Sequence, residues 1–193
     1  MSDDADLCSW CLSSPLYIEY HNKVWGRPER DSGVLFAKLN LEGQQAGLSW
    51  ITVLKKEKSY YQHFFDFNPE KIVRYVPRKM DKLVQESGLI RHRKKLEAIV
   101  SNARAYLQLA DKGQSLSDVL WQFVDHRPIQ NSFQQHSDTP AQTQASEQMA
   151  KFLKKQGFTF VGPTICYAFM QAVGMVNDHL VTCPMHQECA NLA

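Results

Sequence analysis

No run of about 18 apolar residues occurs in the 193-residue chain, so no segment reads as a membrane-spanning helix. The acidic opening Met1-Ser2-Asp3-Asp4 carries no apolar signal-like stretch. An even set of cysteines is missing too. The five present do not suggest a disulfide framework, and a chain of this length buries a core without one. The expectation is a reducing, cytoplasmic setting in which cysteines serve as thiols or metal ligands. Charge of one sign is also lacking. With 22 Lys and Arg against 20 Asp and Glu, the formal net charge is +2, and no binding to polyanions follows from the total. Period-two alternation and internal repeats are absent as well. A mainly α fold follows, organised as one domain over residues 1–193, or as two α lobes with a pocket between them.

What is present centres on LEGQQAGLSWITVLKK. Leu35, Phe36 and Leu39 have the spacing of a helix burying one face, with Asp31 or Ser32 as its cap. This helix is expected to end near Leu41 and Glu42. Gly43 and Gly47 permit a tight bend that carries Leu48 at its tip. Ser49 then caps a second helix, opened by Trp50 and reaching about Phe65. The plain reading is a turn with a solvated glutamate. The functional one is an acid beside an indole, with an apolar knob on a glycine loop.

Residues 1–7 read as a frayed end. Trp10, Tyr17, Tyr20 and Trp25 then crowd together, with Glu19, His21 and Asn22 dispersed among them, which argues against a simple core. Further on, Asn68-Pro69 starts a short helix over Pro69–Tyr75, and another covers about Arg78–Ser87. Leu96, Ile99, Val100, Ala103 and Leu107 mark one face of a long helix ending before Gly113. Ser117 caps a helix containing Trp121, and residues 129–146 read as a polar surface loop.

Ser146 is expected to cap EQMAKFLKKQ, with Gly157 after its end. A four-residue hairpin leads to Gly162-Pro163, which begins TICYAFMQAV. This helix–hairpin–helix, about 147–174, directs backbone N–H groups at one spot and suits an anion such as a DNA phosphate. Lys151, Lys154 and Lys155 flank it, and Arg91, His92, Arg93, Lys94 and Lys95 form a second basic cluster. An ordinary helix pair with solvated lysines is the alternative.

Cys8 and Cys11 stand near one end, and His179, Cys183, His186 and Cys189 near the other. Zinc takes four nitrogen or sulfur ligands in a tetrahedron. Cys8, His21, His179 and Cys183 form one such set. Cys8, Cys11 and Cys183 with His186 or Cys189 form another, and spacing does not choose between them. Cys166, inside an apolar helix, reads as a packed thiol.

The segments CSW, PLYIEYHNKVWG, LEGQQAGLSWITVLKK, GLIRHRKKLEAIVSNARAYL and FVGPTICYAFMQAVGMVNDH, with Cys183 nearby, resemble the 3-methyladenine DNA glycosylases of the constitutive bacterial type. The likeness runs from Cys8 to Cys183. It implies an all-α glycosylase of the helix–hairpin–helix superfamily, with its termini joined by one structural zinc on Cys8, His21, His179 and Cys183. Cys11, His186 and Cys189 are then bystanders. It also implies a base pocket of Trp10, Tyr17, Tyr20 and Trp50 with Glu42 as the catalytic acid, and Trp25 adding to the wall. Gln45, Gly47 and Leu48 would enter the duplex. Gly157, Gly162, Thr164, Lys154 and Lys155 would hold its backbone.

Two departures from the wider superfamily are visible. The place of its sugar-supporting aspartate falls nearest Asn177, and zinc ligation by His179 is expected to hold Asp178 away from the sugar. Thr164 stands where lyase-type members carry an amine, which implies a hydrolase without Schiff-base chemistry. The implied partners are duplex DNA containing alkylated bases, with free 3-methyladenine as product, no membrane and a monomeric state. Two other classes remain open: a sensor of alkylated DNA without turnover, and a zinc-stabilised helical interaction module.

Overall fold

Ten consecutive residues of one helix, Leu35 to Gln44, are buried, which makes that helix the axis of the molecule. The computed structural model describes residues 6–192, so residues 1–5 of the expected frayed end lie outside the described residues. Leu7 is already buried. The helices are α1 (Pro15–Lys23), α2 (Ser32–Gln45), α3 (Trp50–Leu54), α4 (Glu57–His63), α5 (Pro69–Tyr75), α6 (Met80–Leu83), α7 (Arg93–Asp111), α8 (Leu116–Trp121), α9 (Gln144–Lys155), α10 (Pro163–Ala172) and α11 (Pro184–Ala190). Two-residue strands β1 (Ile129–Gln130) and β2 (Val176–Asn177) pair in parallel. None of the described helices is long and apolar enough to cross a membrane.

Helix α2 starts where Asp31 accepts the Val34 N–H, as its sequence suggests. It does not stop at Glu42 but continues to Gln45. Gly43 does not break it. A Cβ there would lie 3.1 Å from the Phe160 carbonyl oxygen, so the missing side chain lets the hairpin press against the helix. The bend comes later, at Gly47 with φ +76°. Helices α10, α7, α3 and α8 pack around α2.

The second helix expected from Ser49 to Phe65 divides into α3 and α4. Ser49 makes no backbone cap; its Oγ meets Thr52 Oγ1 at 2.9 Å. Past α4, Phe65, Asp66 and Phe67 all have φ near +55°. This left-handed turn costs on the order of 1 kcal/mol per residue and is offset by burial of Phe64 and Phe67. In place of one helix over Arg78–Ser87 there is a 3₁₀ turn at Pro77–Lys79 followed by the short α6. Ser115 rather than Ser117 caps α8, and Thr143 rather than Ser146 caps α9. Ser146 occupies the third position of that capping box and is fully buried. The stretch 129–146 is not wholly loop: it holds β1 and a 3₁₀ turn at His136–Asp138.

Two anchors fix the elements that build the site. Asn102 on α7 acts as a strand would toward the hairpin. Its Oδ1 accepts the Thr159 N–H at 2.8 Å, and its Nδ2 donates to the Thr159 carbonyl at 3.2 Å. The same amide donates to Asn40 Oδ1 on α2 at 2.9 Å. Past α10, Gly174 has φ +67°, and a Cβ there would meet the Arg27 carbonyl carbon at 2.4 Å. The Gly26 and Glu29 N–H groups donate to the Gln171 and Val173 carbonyls, each at 3.1 Å. The chain leaving α1 is thereby laid on the end of α10.

Candidate active site

Every buried polar side chain of α2 but one is hydrogen-bonded. Asn40 donates to the Phe36 carbonyl at 2.8 Å, Gln44 donates to the Lys95 carbonyl at 2.9 Å, and Lys38 donates to Glu57 at 3.2 Å. Glu42 is the exception. It is 3% exposed, and none of the described residues offers it a hydrogen bond. Burial pushes its carboxyl up to about 8, with only partial opposition from the Lys38 charge one turn earlier.

Glu42 faces a cleft of about 340 Å³, lined also by Trp10, Tyr17, Tyr20, Trp25, Gln45 and Trp50. That volume lies at the low end of the roughly 300–1,000 Å³ of small-molecule sites. Sequence separation is bridged by packing: Trp10 meets Tyr17 edge-on with centroids 4.9 Å apart, and Trp25 at 5.0 Å. Tyr20 and Trp50 lie 5.5 Å apart. The Trp50 indole N–H is buried without a partner. Burial and the neighbouring Glu42 push the Tyr17 hydroxyl up to about 12. Tyr20 is raised in the same way. A flat aromatic slot with one carboxyl at its edge suits a planar ring that carries hydrogen-bonding groups on one side.

His136, Thr139, Ala168, Gln171 and Asp178 complete the lining, and of these the sequence singles out Asp178 alone. Asp178, expected to be held away from the sugar, lines the cleft with both oxygens hydrogen-bonded. Its Oδ2 accepts from the Tyr167 hydroxyl at 2.6 Å and from Gln171 at 2.9 Å, and its Oδ1 accepts from Asn131 at 2.6 Å. Asn177 turns elsewhere, donating to Gln130 at 2.8 Å and to the His186 carbonyl at 2.9 Å. Its presence in β2 pairs the chain rather than lining the cleft.

A narrower groove of about 170 Å³ shares Glu42, Gln45 and Ala168 with the cleft and adds Ala46, Gly47, Leu48, Thr164 and Ile165. The glycine loop and the start of α10 therefore face each other across it. Leu48 is 41% exposed at the loop tip. Gly157 (φ +96°) and Gly162 bracket the hairpin, and Lys154 and Lys155 are exposed; these four line neither cavity. Lys95 departs from its expected solvated cluster: it is 5% exposed.

Cys8, His21, His179 and Cys183 converge, all buried, with one ligand atom of each within 4.8 Å of the others. His21 Nε2 lies 3.1 Å from His179 Nδ1, and the Cys183 sulfur lies 3.7 Å and 3.8 Å from those two atoms. The Cys8 sulfur lies 3.8 Å from His179 Nδ1. Bonds of about 2.0–2.1 Å to nitrogen and about 2.3 Å to sulfur put the corners of a tetrahedron roughly 3.3–3.8 Å apart, so the donor set fits a metal ion. The outer ring nitrogens are held too, His21 Nδ1 by Asn22 at 2.7 Å and His179 Nε2 by the Trp25 carbonyl at 3.2 Å. The alternative set does not assemble: Cys11 Sγ donates to the Cys8 carbonyl, and His186 Nε2 lies 2.7 Å from the Asn131 carbonyl. Cys166 is packed in the core beside the Val161 carbonyl.

This four-residue cluster lies behind two of the residues that line the cleft. Trp10 lies 5.3 Å from the His21 ring, and Trp25 lies 4.6 Å from His179.

Comparison with known proteins gives the same picture. The methyladenine glycosylase family model matches residues 10–187. A DNA-3-methyladenine glycosylase of Haemophilus influenzae is 53% identical over 177 residues, covering 92% of this chain and 96% of that protein. A crystal structure of a 3-methyladenine DNA glycosylase I superposes with a TM-score of 0.92 at 50% identity, covering 93% of this chain and 99% of the other. The 3-methyladenine DNA glycosylase I of Staphylococcus aureus, solved for its recognition of 3-methyladenine, gives 0.88 at 40% identity, with coverage of 93% and 95%.

Proposed function

The chain belongs to the methyladenine glycosylase family, and from that premise we propose that it is a DNA glycosylase of base-excision repair that hydrolyses the bond between sugar and 3-methyladenine in alkylated duplex DNA. The observation that carries this reading is the Glu42 carboxyl, buried in an aromatic slot without a hydrogen-bond partner among the described residues.

Methylation at N3 leaves the nucleotide's adenine cationic. When the C1′–N9 bond breaks, its electron pair neutralises the base, and water adds to C1′ with loss of a proton. Such a leaving group asks little of the enzyme. The nucleotide must be taken out of the stack, at a cost of a few kcal/mol that is smaller for a damaged base. Leu48 is placed to fill the gap, and the start of α10 is placed to meet the backbone. In the slot, Trp10 and Trp50 offer faces to an electron-poor purine, worth about 0.5–2 kcal/mol for a cation over a ring. Held neutral by burial, Glu42 has one oxygen to accept from the N6 amine and one hydroxyl to donate to N7. Guanine presents the opposite pattern at its sixth position.

The lining residues of the cleft include no lysine among those described, which supports hydrolysis without a Schiff base. Zinc is the metal we assign to Cys8, His21, His179 and Cys183. When bound it supplies order rather than chemistry, tying residues 8–25 to 179–183 and so setting the planes of Trp10 and Trp25. No disulfide joins the described cysteines, which supports a reducing, cytoplasmic setting. We assign a monomer acting on double-stranded DNA.

The test is chromatography of bases released from methylated duplex in a single turnover. Free 3-methyladenine is expected, without strand cleavage, and Glu42→Gln should lose most of it. A protein that binds methylated DNA but releases no base would be a sensor. One that binds neither that DNA nor free base would be an interaction module.

A further inference from the structure

Helix α2 ends at Gln45, and the turn through left-handed Gly47 brings the Leu48 N–H to the Gln45 carbonyl, leaving the Gln44 and Ala46 carbonyls to other donors. Two carbonyls at this end are held by a side chain from elsewhere. The Lys95 ammonium on α7 donates to the Gln44 carbonyl at 2.8 Å and to the Ala46 carbonyl at 2.6 Å. A return bond runs from Gln44 Nε2 to the Lys95 carbonyl at 2.9 Å. The Tyr60 hydroxyl completes the frame, donating to Gln44 Oε1 at 3.0 Å and accepting the Ile90 N–H at 3.1 Å. Lys95, Gln44 and Tyr60 are buried, and Ala46 and Ile90 are half-buried. Among the described residues no acidic side chain pairs with Lys95, and its ammonium meets backbone carbonyls at the negative end of the helix.

The geometry points to Lys95 as a positioning residue that fixes the angle of the Ala46–Leu48 loop, so that Leu48 is held ready to enter the duplex before DNA arrives. This rests on the glycosylase reading above. The two clamped carbonyls, of Gln44 in the last turn of α2 and of Ala46 in the loop, bracket the point where the loop leaves the helix. Apart from them, its internal support is the Leu48 N–H on the Gln45 carbonyl at 2.6 Å. Without the ammonium, two carbonyls lose their donors at the root of a loop whose tip is 41% exposed. Glu42 lies one turn upstream inside a packed helix and keeps its place. Lys95 therefore serves the step that opens the duplex, not the slot that receives the base.

Lys95→Met keeps the aliphatic stem and removes the donors. The expected result is a folded protein whose affinity for free 3-methyladenine matches wild type. Its single-turnover excision from methylated duplex should fall about tenfold or more, as misplacement of a positioning group does. Excision from methylated single strands, which present no stack to open, should fall much less. Lys95→Gln, which retains one donor, should lie between. Equal losses on duplex and single strand, base affinity that falls with duplex excision, or a collapse of both variants would each overturn the proposal and make Lys95 a fold residue. Absence of excision by the wild type would instead overturn the glycosylase reading and leave the clamp as a structural contact.

Discussion

Lys38 stands one helical turn before Glu42 on α2, yet its ammonium is hydrogen-bonded to Glu57 at 3.2 Å and not to Glu42. The nearest cation is thus committed elsewhere, and the acid in the cleft is left to the effect of burial. Its carboxyl, raised from 4.5 to about 8, favours the protonated form in the folded protein. The stability this contributes is full below about pH 4.5 and is lost as pH rises through about 8. Glu42→Gln removes that dependence. The variant should gain on wild type in thermal melts as pH is raised from 5 to 8, by on the order of 3–5 kcal/mol at the upper end. It should also lose nearly all base release. A pH-independent difference in melting temperature would contradict the buried neutral acid.

Metal analysis should find one zinc per chain. Cys183→Ser should cost about 3 kcal/mol or more, lowering the melting midpoint by roughly 6–12 °C. Because Trp10 and Trp25 rest on His21 and His179, affinity for free 3-methyladenine should fall as well. Calorimetry on chelated and untreated protein checks the link.

Leu48→Ala removes apolar surface that is already 41% exposed, so stability should change by no more than about 0.5 kcal/mol. Base affinity should hold while duplex excision falls about tenfold, since an alanine leaves the gap unfilled. Equal excision by both proteins would remove Leu48 from the opening step.

Asn102→Leu deletes the contacts to Thr159 and Asn40 and leaves buried partners unsatisfied, at a cost of about 2–4 kcal/mol. The hairpin is then released from α2. Binding to undamaged duplex should weaken at low salt, with the free-base site less affected. Fluorescence titrations with each ligand separate the two.

The main helices were legible where punctuation was strong. Asp31 and Asn68 cap as their positions suggest, and Pro163 opens α10. The slot was legible in part, since its aromatics and Glu42 sit in short motifs. Asp178, Gln171 and His136 come from segments over ninety residues away from Glu42, where nothing local marks a cavity wall. Lys95 shows the limit most directly. In sequence it is one of five basic neighbours, and only the packing of α7 on α2 takes it out of solvent. The two glycines after Glu42 suggest a helix end there. Gly43 instead serves contact with Phe160, a partner invisible at that range.

The sulfur–imidazole knot behind Trp10 and Trp25 joins side chains as far apart in sequence as Cys8 and Cys183. During synthesis on the ribosome, the receptor for damaged bases therefore cannot close until His179 and Cys183 have emerged and travelled back to α1. A nascent chain arrested before that point would carry the hairpin and the probing loop but no finished slot: it could touch the genome without reading it.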